Sequence, residues 1–281
     1  MLDNTEFAFS DQEFERVKLL IGERTGIHIT EDKKALVYAR ITRRLRALKL
    51  KNFGDYFHIL QSDSKEETQR FINAVTTNLT SFFREQHHFD FLREEFVPKV
   101  MEQNSKRKTI NIWSAGCSSG EEVYSIAIAL SEAIPNIAQW NVRIVGTDID
   151  SDMLATGRNG VYEMSRVEGI SESLLKKYFL RGKGRNAGRV KVGEKLAEMV
   201  TFDYVNLVEP WNLQCTFDFI FCRNALIYFD AAVQKDIVDR FSNELADQGY
   251  LAVGHSENIL KLTDKYKLVG KSIYEKDRVV F

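Results

Sequence analysis

Asn111-Ile-Trp-Ser-Ala-Gly116-Cys-Ser-Ser-Gly120-Glu121-Glu122-Val-Tyr-Ser-Ile-Ala127 reads as a buried strand, a glycine turn and a helix whose first turn carries two adjacent carboxylates. A strand, glycine loop and helix form the usual nucleotide cradle. In the dinucleotide version a pyrophosphate rests on bare N–H groups at the positive end of the helix dipole. Glu121 and Glu122 would repel it. Gly116 and Gly120 are also four residues apart, and no G-x-G-x-x-G fingerprint occurs. Acids are favoured in any first helical turn for dipole reasons, so the pair does not by itself prove a ligand site.

The next apolar run, 142–145, ends in Gly146-Thr-Asp-Ile-Asp150. A carboxylate at the tip of the second strand accepts hydrogen bonds from ribose hydroxyls, and the spacing of about 20 residues after a glycine loop is roughly met. Asp148 is therefore a candidate ribose ligand, although Asp150 or Ser151 would equally serve as the N-cap of a helix beginning near Met153. Ribose contacts together with a cationic rather than anionic tail describe S-adenosylmethionine (SAM), with its sulfonium and ammonium groups.

The 281 residues are 44% apolar, enough for one large domain or two modest ones. Net charge is −1, so any polyanion partner must be recognised locally. Cys117, Cys215 and Cys222 form no C-x-x-C pair and are odd in number, which favours a reducing compartment, with the cytoplasm expected. The acidic, polar start from Met1 to Glu6 does not read as a signal peptide, and no apolar run reaches the ~20 residues of a membrane span.

Residues 1–90 read as a helical N-terminal domain. Ser10 with Glu13 and Ser64 with Glu67 are S-x-x-E capping boxes, and a helix over 31–48 places Val37, Ile41, Leu45 and Leu48 on one stripe. Residues 91–281 read as the sheet domain, the boundary falling in a predicted 89–105 helix. Its short apolar runs at 110–113, 142–145, 217–222 and 250–253 alternate with helices, which predicts a parallel sheet covered on both faces. A glycine-rich, basic segment over about 178–200 predicts a small β insertion.

Three further segments carry candidate chemistry. The strand at 217–222 exits at Arg223, Asn224 and Tyr228, and ligands of open α/β sheets bind at such exits. Asn224 suits either the amino-acid end of SAM or the adenine edge, and Asn206-Leu207, after an apolar run, suits the adenine. The segment Thr76-Thr-Asn-Leu-Thr-Ser-Phe-Phe-Arg-Glu85 predicts an irregular lid, with Asn78 and Thr80 toward the cofactor and Arg84 near the transferred methyl. Residues 33–54 contain eight bases and no acid, with Lys33, Arg40 and Arg44 on one helical face and Arg43 at its edge. Such a face predicts an acidic partner, either nucleic acid or an acidic protein helix.

The motifs T-T-N-L-T-x-F-F-R-E at 76–85, S-x-G-E-E at 118–122, T-D-I-D at 147–150, N-L at 206–207, C-R-N-x-x-I-Y-F at 222–229 and G-H-S-E at 254–257 are similar to those of the CheR chemotaxis receptor methyltransferases, which the chain resembles along its length. The resemblance implies an α/β fold: a Rossmann-like SAM-dependent methyltransferase domain, a small all-α N-terminal domain and an inserted β-subdomain. It implies a cytoplasmic monomer recruited to membrane receptor arrays, which methylates glutamate side chains of chemoreceptors and leaves S-adenosylhomocysteine. By motif, Asn78, Thr80, Arg84, Glu122, Asp148, Asn206, Leu207, Asn224 and Ala225 would hold SAM. Arg84 and Tyr228 would sit at the methyl transfer. Lys33, Arg40, Arg43, Arg44 and Arg46 would face the acidic receptor bundle, and Arg181, Gly182 and Gly184 would bind a receptor C-terminal pentapeptide. No metal, nucleic acid or membrane insertion is implied.

A glutamate carboxylate is already ionised at neutral pH, so this reaction asks for positioning and desolvation rather than a base. Two other readings compete. An RNA methyltransferase would use the basic helix as its footprint, although Arg223-Asn-Ala-Leu stands where an N-P-P-[YF] exit would signal amino-group methylation. A non-catalytic SAM sensor would bind the cofactor and yield no product.

Overall fold

A computed structural model describes residues 6–62 and 64–277. Residues 1–5 of the N-terminal stretch considered above lie outside it. Four helices come first: α1 (Asp11–Thr25), α2 (Lys34–Leu48), α3 (Phe53–Gln61) and α4 (Lys65–Val75). The capping box at α1 forms as expected, with Ser10 accepting from Glu13 N–H and Glu13 reaching back to the Ser10 N–H. At α4 only half of it forms. Ser64 accepts from Glu67 N–H, but the Glu67 carboxylate turns inward to Arg44 and Tyr56. Val37, Ile41 and Leu45 of α2 are buried against aromatic residues of α1, α3 and α4.

This helical core ends at Val75, and Phe82 already belongs to the core of the sheet, ahead of the boundary expected near residue 90. α5 (His87–Phe91) runs through a π-helical turn at Leu92–Phe96 into α6 (Val97–Gln103). The remaining elements are β1 (Thr109–Ala115), α7 (Glu121–Ala133), β2 (Asn141–Asp148), α8 (Ser151–Asn159), β3 (Val161–Glu163), α9 (Glu172–Tyr178), β4 (Phe179–Arg181), β5 (Arg189–Val192), α10 (Glu194–Ala197), β6 (Val200–Tyr204), β7 (Phe217–Cys222), α11 (Ala231–Glu244), β8 (Leu245–Val253), β9 (Tyr266–Gly270) and β10 (Ile273–Lys276).

The main sheet has the order β6-β2-β1-β7-β8-β10-β9. β6 through β8 are parallel, and β10 is antiparallel to both of its neighbours, so the sheet is mixed rather than parallel. Side chains alternate between two cores: in β7, Phe219 and Phe221 face α7, whereas Phe217, Ile220 and Cys222 face α11. Strand order reverses between β1 and β7. Ligands of such sheets bind at this switch point, outside the carboxyl ends of the strands.

The inserted β-subdomain is a three-stranded antiparallel sheet, β3-β5-β4. It begins at Val161, well before the 178 expected, because β3 is only three residues long and carries no run that composition could reveal. Among the described residues no helix is long and apolar enough to cross a membrane.

Candidate active site

The carboxyl ends of β1, β2, β6 and β7 open into a cavity of about 370 Å³, within the roughly 300–1,000 Å³ range of cofactor-sized sites. Asn78, Thr80, Arg84, Glu122, Asp148, Asn206, Leu207, Asn224 and Ala225 all line it, together with Tyr228 and Lys33. Its far wall comes from the helical part, where Thr25, Ile27, His28 and Ile29 face the strand ends.

The β1 loop explains both glycines. Gly116 has φ +76, and a Cβ there would lie 3.0 Å from the Ala225 Cβ. At Gly120, with φ +91, a Cβ would lie 2.9 Å from the Phe202 ring. Glu121 and Glu122 then part company. Glu121 turns to the insert, bonded by Arg166 and by Ser119 Oγ at 2.6 Å. Glu122 faces the cavity and accepts from Ser114 Oγ at 2.7 Å and from Arg223 Nη1 at 2.8 Å. The wall is thus less negative than the sequence suggests, since a buried guanidinium answers one of its carboxylates.

Asp148 is 9% exposed and accepts N–H groups from Ser118 at 2.7 Å and Asp150 at 2.9 Å. Burial pushes its pKa up to about 6, against the pull of those two donors. The helix-capping role falls to Asp150, which accepts from Asp152 and Met153 N–H at the start of α8. Asp148 is left facing the cavity.

The 76–85 segment is irregular, as expected, with Phe83 at φ +53 and Glu85 at φ +56. It is pinned at several points. Ser125 Oγ accepts from Phe83 N–H at 2.9 Å, Ser118 Oγ donates to Asn78 O at 3.0 Å, and Arg223 donates to Arg84 O. The Asn78 amide donates to Asp150 at 2.6 Å, so Asn78, which lines the cavity, ties the lid to the start of α8. Arg84 donates to Leu79 O at 2.9 Å.

Asn206 departs from its reading in the same way. Its amide N–H groups go to Arg24 O at 2.8 Å and Glu209 at 3.2 Å, and its oxygen accepts Val208 N–H. The Asn206 side chain is thus engaged within the protein, beside buried Leu207. Asn224, the second residue after β7, holds φ +56, a left-handed turn that sends the following residues along the cavity. Tyr228 is half-buried there, and its carbonyl accepts His28 N–H at 2.8 Å.

The basic helix is partly spoken for. Arg44 donates to Glu67 at 3.0 and 2.6 Å, and Glu67 also takes the Tyr56 hydroxyl at 2.9 Å. Arg46 pairs with Glu6, and Arg40 caps the end of α4 through Thr76 O. Arg43 and Lys33 are exposed, the latter 3.2 Å from Asp32. Arg181, Gly182 and Gly184 sit together at the exposed β4–β5 turn, where a Cβ on Gly182 would fall 2.1 Å from Asn186 O.

Two further residues shape the site without a role assigned to them from sequence. Arg223, which sequence placed at the strand exit, is a buried guanidinium that holds both Glu122 and the Arg84 carbonyl. Glu257 lies in a motif that carried no assigned task. Among the described residues, Glu85, His87 and His88 bring their ligand atoms within 4.8 Å of one another, but Arg223 Nη2 stands 3.4 Å from Glu85 Oε2.

Residues 12–76 match the family described as CheR methyltransferase, all-alpha domain, and residues 78–274 match CheR methyltransferase, SAM binding domain. The chain is 43% identical to the chemotaxis protein methyltransferase of Salmonella typhimurium, covering 95% of this chain and 91% of that protein. Chemotaxis protein methyltransferase 2 of Pseudomonas aeruginosa is 42% identical over 96% and 95% of the two chains. The Escherichia coli chemotaxis protein methyltransferase is 39% identical over 98% and 94%. With the switch-point cavity and the loop that shapes it, these matches establish that the chain belongs to the CheR family of SAM-dependent methyltransferases.

Proposed function

We propose that this enzyme transfers the methyl group of SAM to glutamate side chains on the cytoplasmic helical bundle of chemoreceptors, forming methyl esters. One observation carries the reading: a single cavity joins a ribose-type carboxylate, Asp148, and an ammonium-type carboxylate, Glu122, to Arg84 and Tyr228. The cradle suits SAM, because Gly116 lines the cavity with bare backbone and a Cβ there would press on Ala225 across it. Asp148 would hold the ribose, Glu122 the ammonium, and the Asn206-Leu207 corner the adenine.

When bound, SAM supplies a sulfonium methyl open to in-line displacement. The residues of the chain orient the substrate. Arg84 holds one carboxylate oxygen and the Tyr228 hydroxyl directs the other, which leaves a lone pair aimed at the methyl. Neither group removes a proton. Held geometry of this kind converts a bimolecular step into a unimolecular one, with effective molarities of about 10⁵ M or more.

Exposed Arg43 and Lys33 on and before α2 would meet the acidic bundle, with Arg40 and Arg46 beside them. Arg44 is better regarded as part of the helical core. The β4–β5 turn would take a receptor C-terminal pentapeptide, the enzyme acting as a cytoplasmic monomer drawn to receptor arrays. Internal pairing weakens the nucleic-acid alternative, since four of the eight bases, Lys33, Lys34, Arg44 and Arg46, already have acidic partners within the chain.

Tritiated SAM incubated with receptor-rich membranes should place base-labile label on the receptors, as methyl esters do. Label on RNA, or cofactor binding without labelled product, would overturn the proposal.

A further inference from the structure

Gly254-His-Ser-Glu257 follows β8 and takes no part in the chemistry above, yet it touches both segments that carry the methyl-transfer pair. Glu257 is 8% exposed. Its Oε2 accepts Gly254 N–H at 2.5 Å and Asn224 N–H at 2.9 Å, while Oε1 accepts Ile227 N–H at 3.1 Å. A buried carboxylate spread over three backbone donors on two strand exits is an expensive arrangement unless it fixes a shape. The shape here is the left-handed turn at Asn224 and the short helical turn Leu226–Tyr228 that follows. Gly254 is needed for the same fit, because a Cβ there would lie 2.5 Å from Asn224 Nδ2.

The second contact runs to the lid. His255 Nδ1 lies 2.7 Å from Glu85 Oε1, the residue after Arg84. Glu85 is held ionised, its pKa lowered to about 2: burial opposes this, and the His255 hydrogen bond and the Arg223 charge outweigh it. Arg223 reaches both the Arg84 carbonyl and Glu85, so the lid end is clasped from two sides.

We propose that the 254–257 loop is a positioning brace, in which Glu257 sets the 224–228 turn and His255 sets the lid end, fixing the register between Tyr228 and Arg84. This rests on the reading of Arg84 and Tyr228 as the methyl-transfer pair. Neither Glu257 nor His255 touches the reacting atoms. They act through the backbone that carries the groups that do.

The test compares wild type with Glu257→Gln in the full chain, alone and combined with Tyr228→Phe, reading receptor methylation and amide hydrogen exchange. In Glu257→Gln, exchange at the Asn224 and Ile227 N–H groups should quicken at least tenfold, and kcat should fall at least tenfold. In the Tyr228→Phe background the same change should cost less than threefold, because residues that act as a unit are non-additive. A kcat within twofold of wild type, or an equal loss in both backgrounds, overturns the brace. Should Glu257→Gln not fold, His255→Ala decides, since that side chain is 70% exposed. It should lower kcat at least fivefold in wild type and less than twofold beside Arg84→Lys, and an unchanged kcat overturns the proposal. A wild-type enzyme that fails to methylate receptors refutes the functional reading alone, while the exchange data still judge the brace.

Discussion

Replacing Asp148 with asparagine should abolish a pH dependence of cofactor affinity that the wild-type site builds in. The wild-type pKa stands near 6, raised from 3.8 chiefly by burial. In the proposed site ribose hydroxyls would donate to the ionised form, so protonation would compete with binding. For a pKa of 6, the affinity loss between pH 7 and pH 5 is about tenfold, or about 1.4 kcal/mol. Stability of the ligand-free enzyme moves the other way. Between about pH 4 and pH 6 the folded state holds a proton that the unfolded chain has lost, so this group's contribution falls as pH rises, by up to about 3 kcal/mol for a two-unit shift. Titration calorimetry with S-adenosylhomocysteine at pH 5, 6, 7 and 8 tests the first claim, and urea unfolding across the window of about pH 4 to pH 6 tests the second. Wild-type affinity that stays flat from pH 5 to pH 7, or an Asp148→Asn variant that keeps the wild-type slope, would refute the reasoning.

Arg84→Ala should lower kcat by about 10²-fold through lost substrate orientation, and Tyr228→Phe by about tenfold, the size of one charge-assisted hydrogen bond. Receptor methylation at the normal rate by either variant would remove it from the mechanism. Glu67→Ala should destabilise the protein by about 3 kcal/mol in urea unfolding, since it strips a partly buried Arg44 and a buried Tyr56 of their shared acceptor. A loss under 1 kcal/mol would mean that the pair is merely superficial. Gly182→Ala should weaken capture of a receptor C-terminal peptide at least tenfold, because its Cβ meets Asn186 O at 2.1 Å and must open the turn. Capture equal to wild type in a pull-down would dissociate that turn from tail binding.

The parts of the fold that the sequence exposed were those with strong, repeated signals. β7 was read to the residue because all six of its side chains are buried, and β1 and β2 were found for similar reasons. β9 and β10 went unread. Three of the five residues of β9 are exposed, so no apolar run marks the hairpin that makes the sheet mixed. In the site, residue types pointed to the right place but not always to the right partner. Asn78 and Asn206 face the cavity, yet their amides are bound to Asp150 and to Arg24 O, groups 72 and 182 residues distant in the chain. Glu67 shows the same limit: local spacing named it a cap, and a tertiary partner 23 residues away claimed its carboxylate. Local patterns report what a side chain can do, and long-range contacts choose among those options.

The helical part does more than display a basic face, for it closes the cavity and is stitched to three strand exits. Arg24 O meets Asn206, His28 N–H meets Tyr228 O, and Gln69 donates to Ile149 O at 2.8 Å. If its basic face selects the receptor, as proposed, that preference cannot be transplanted by exchanging this module between relatives as if it were a detachable adaptor. A chimera that imports a foreign helical part also imports a foreign ceiling for the cofactor, and its catalytic constants will change along with its choice of target.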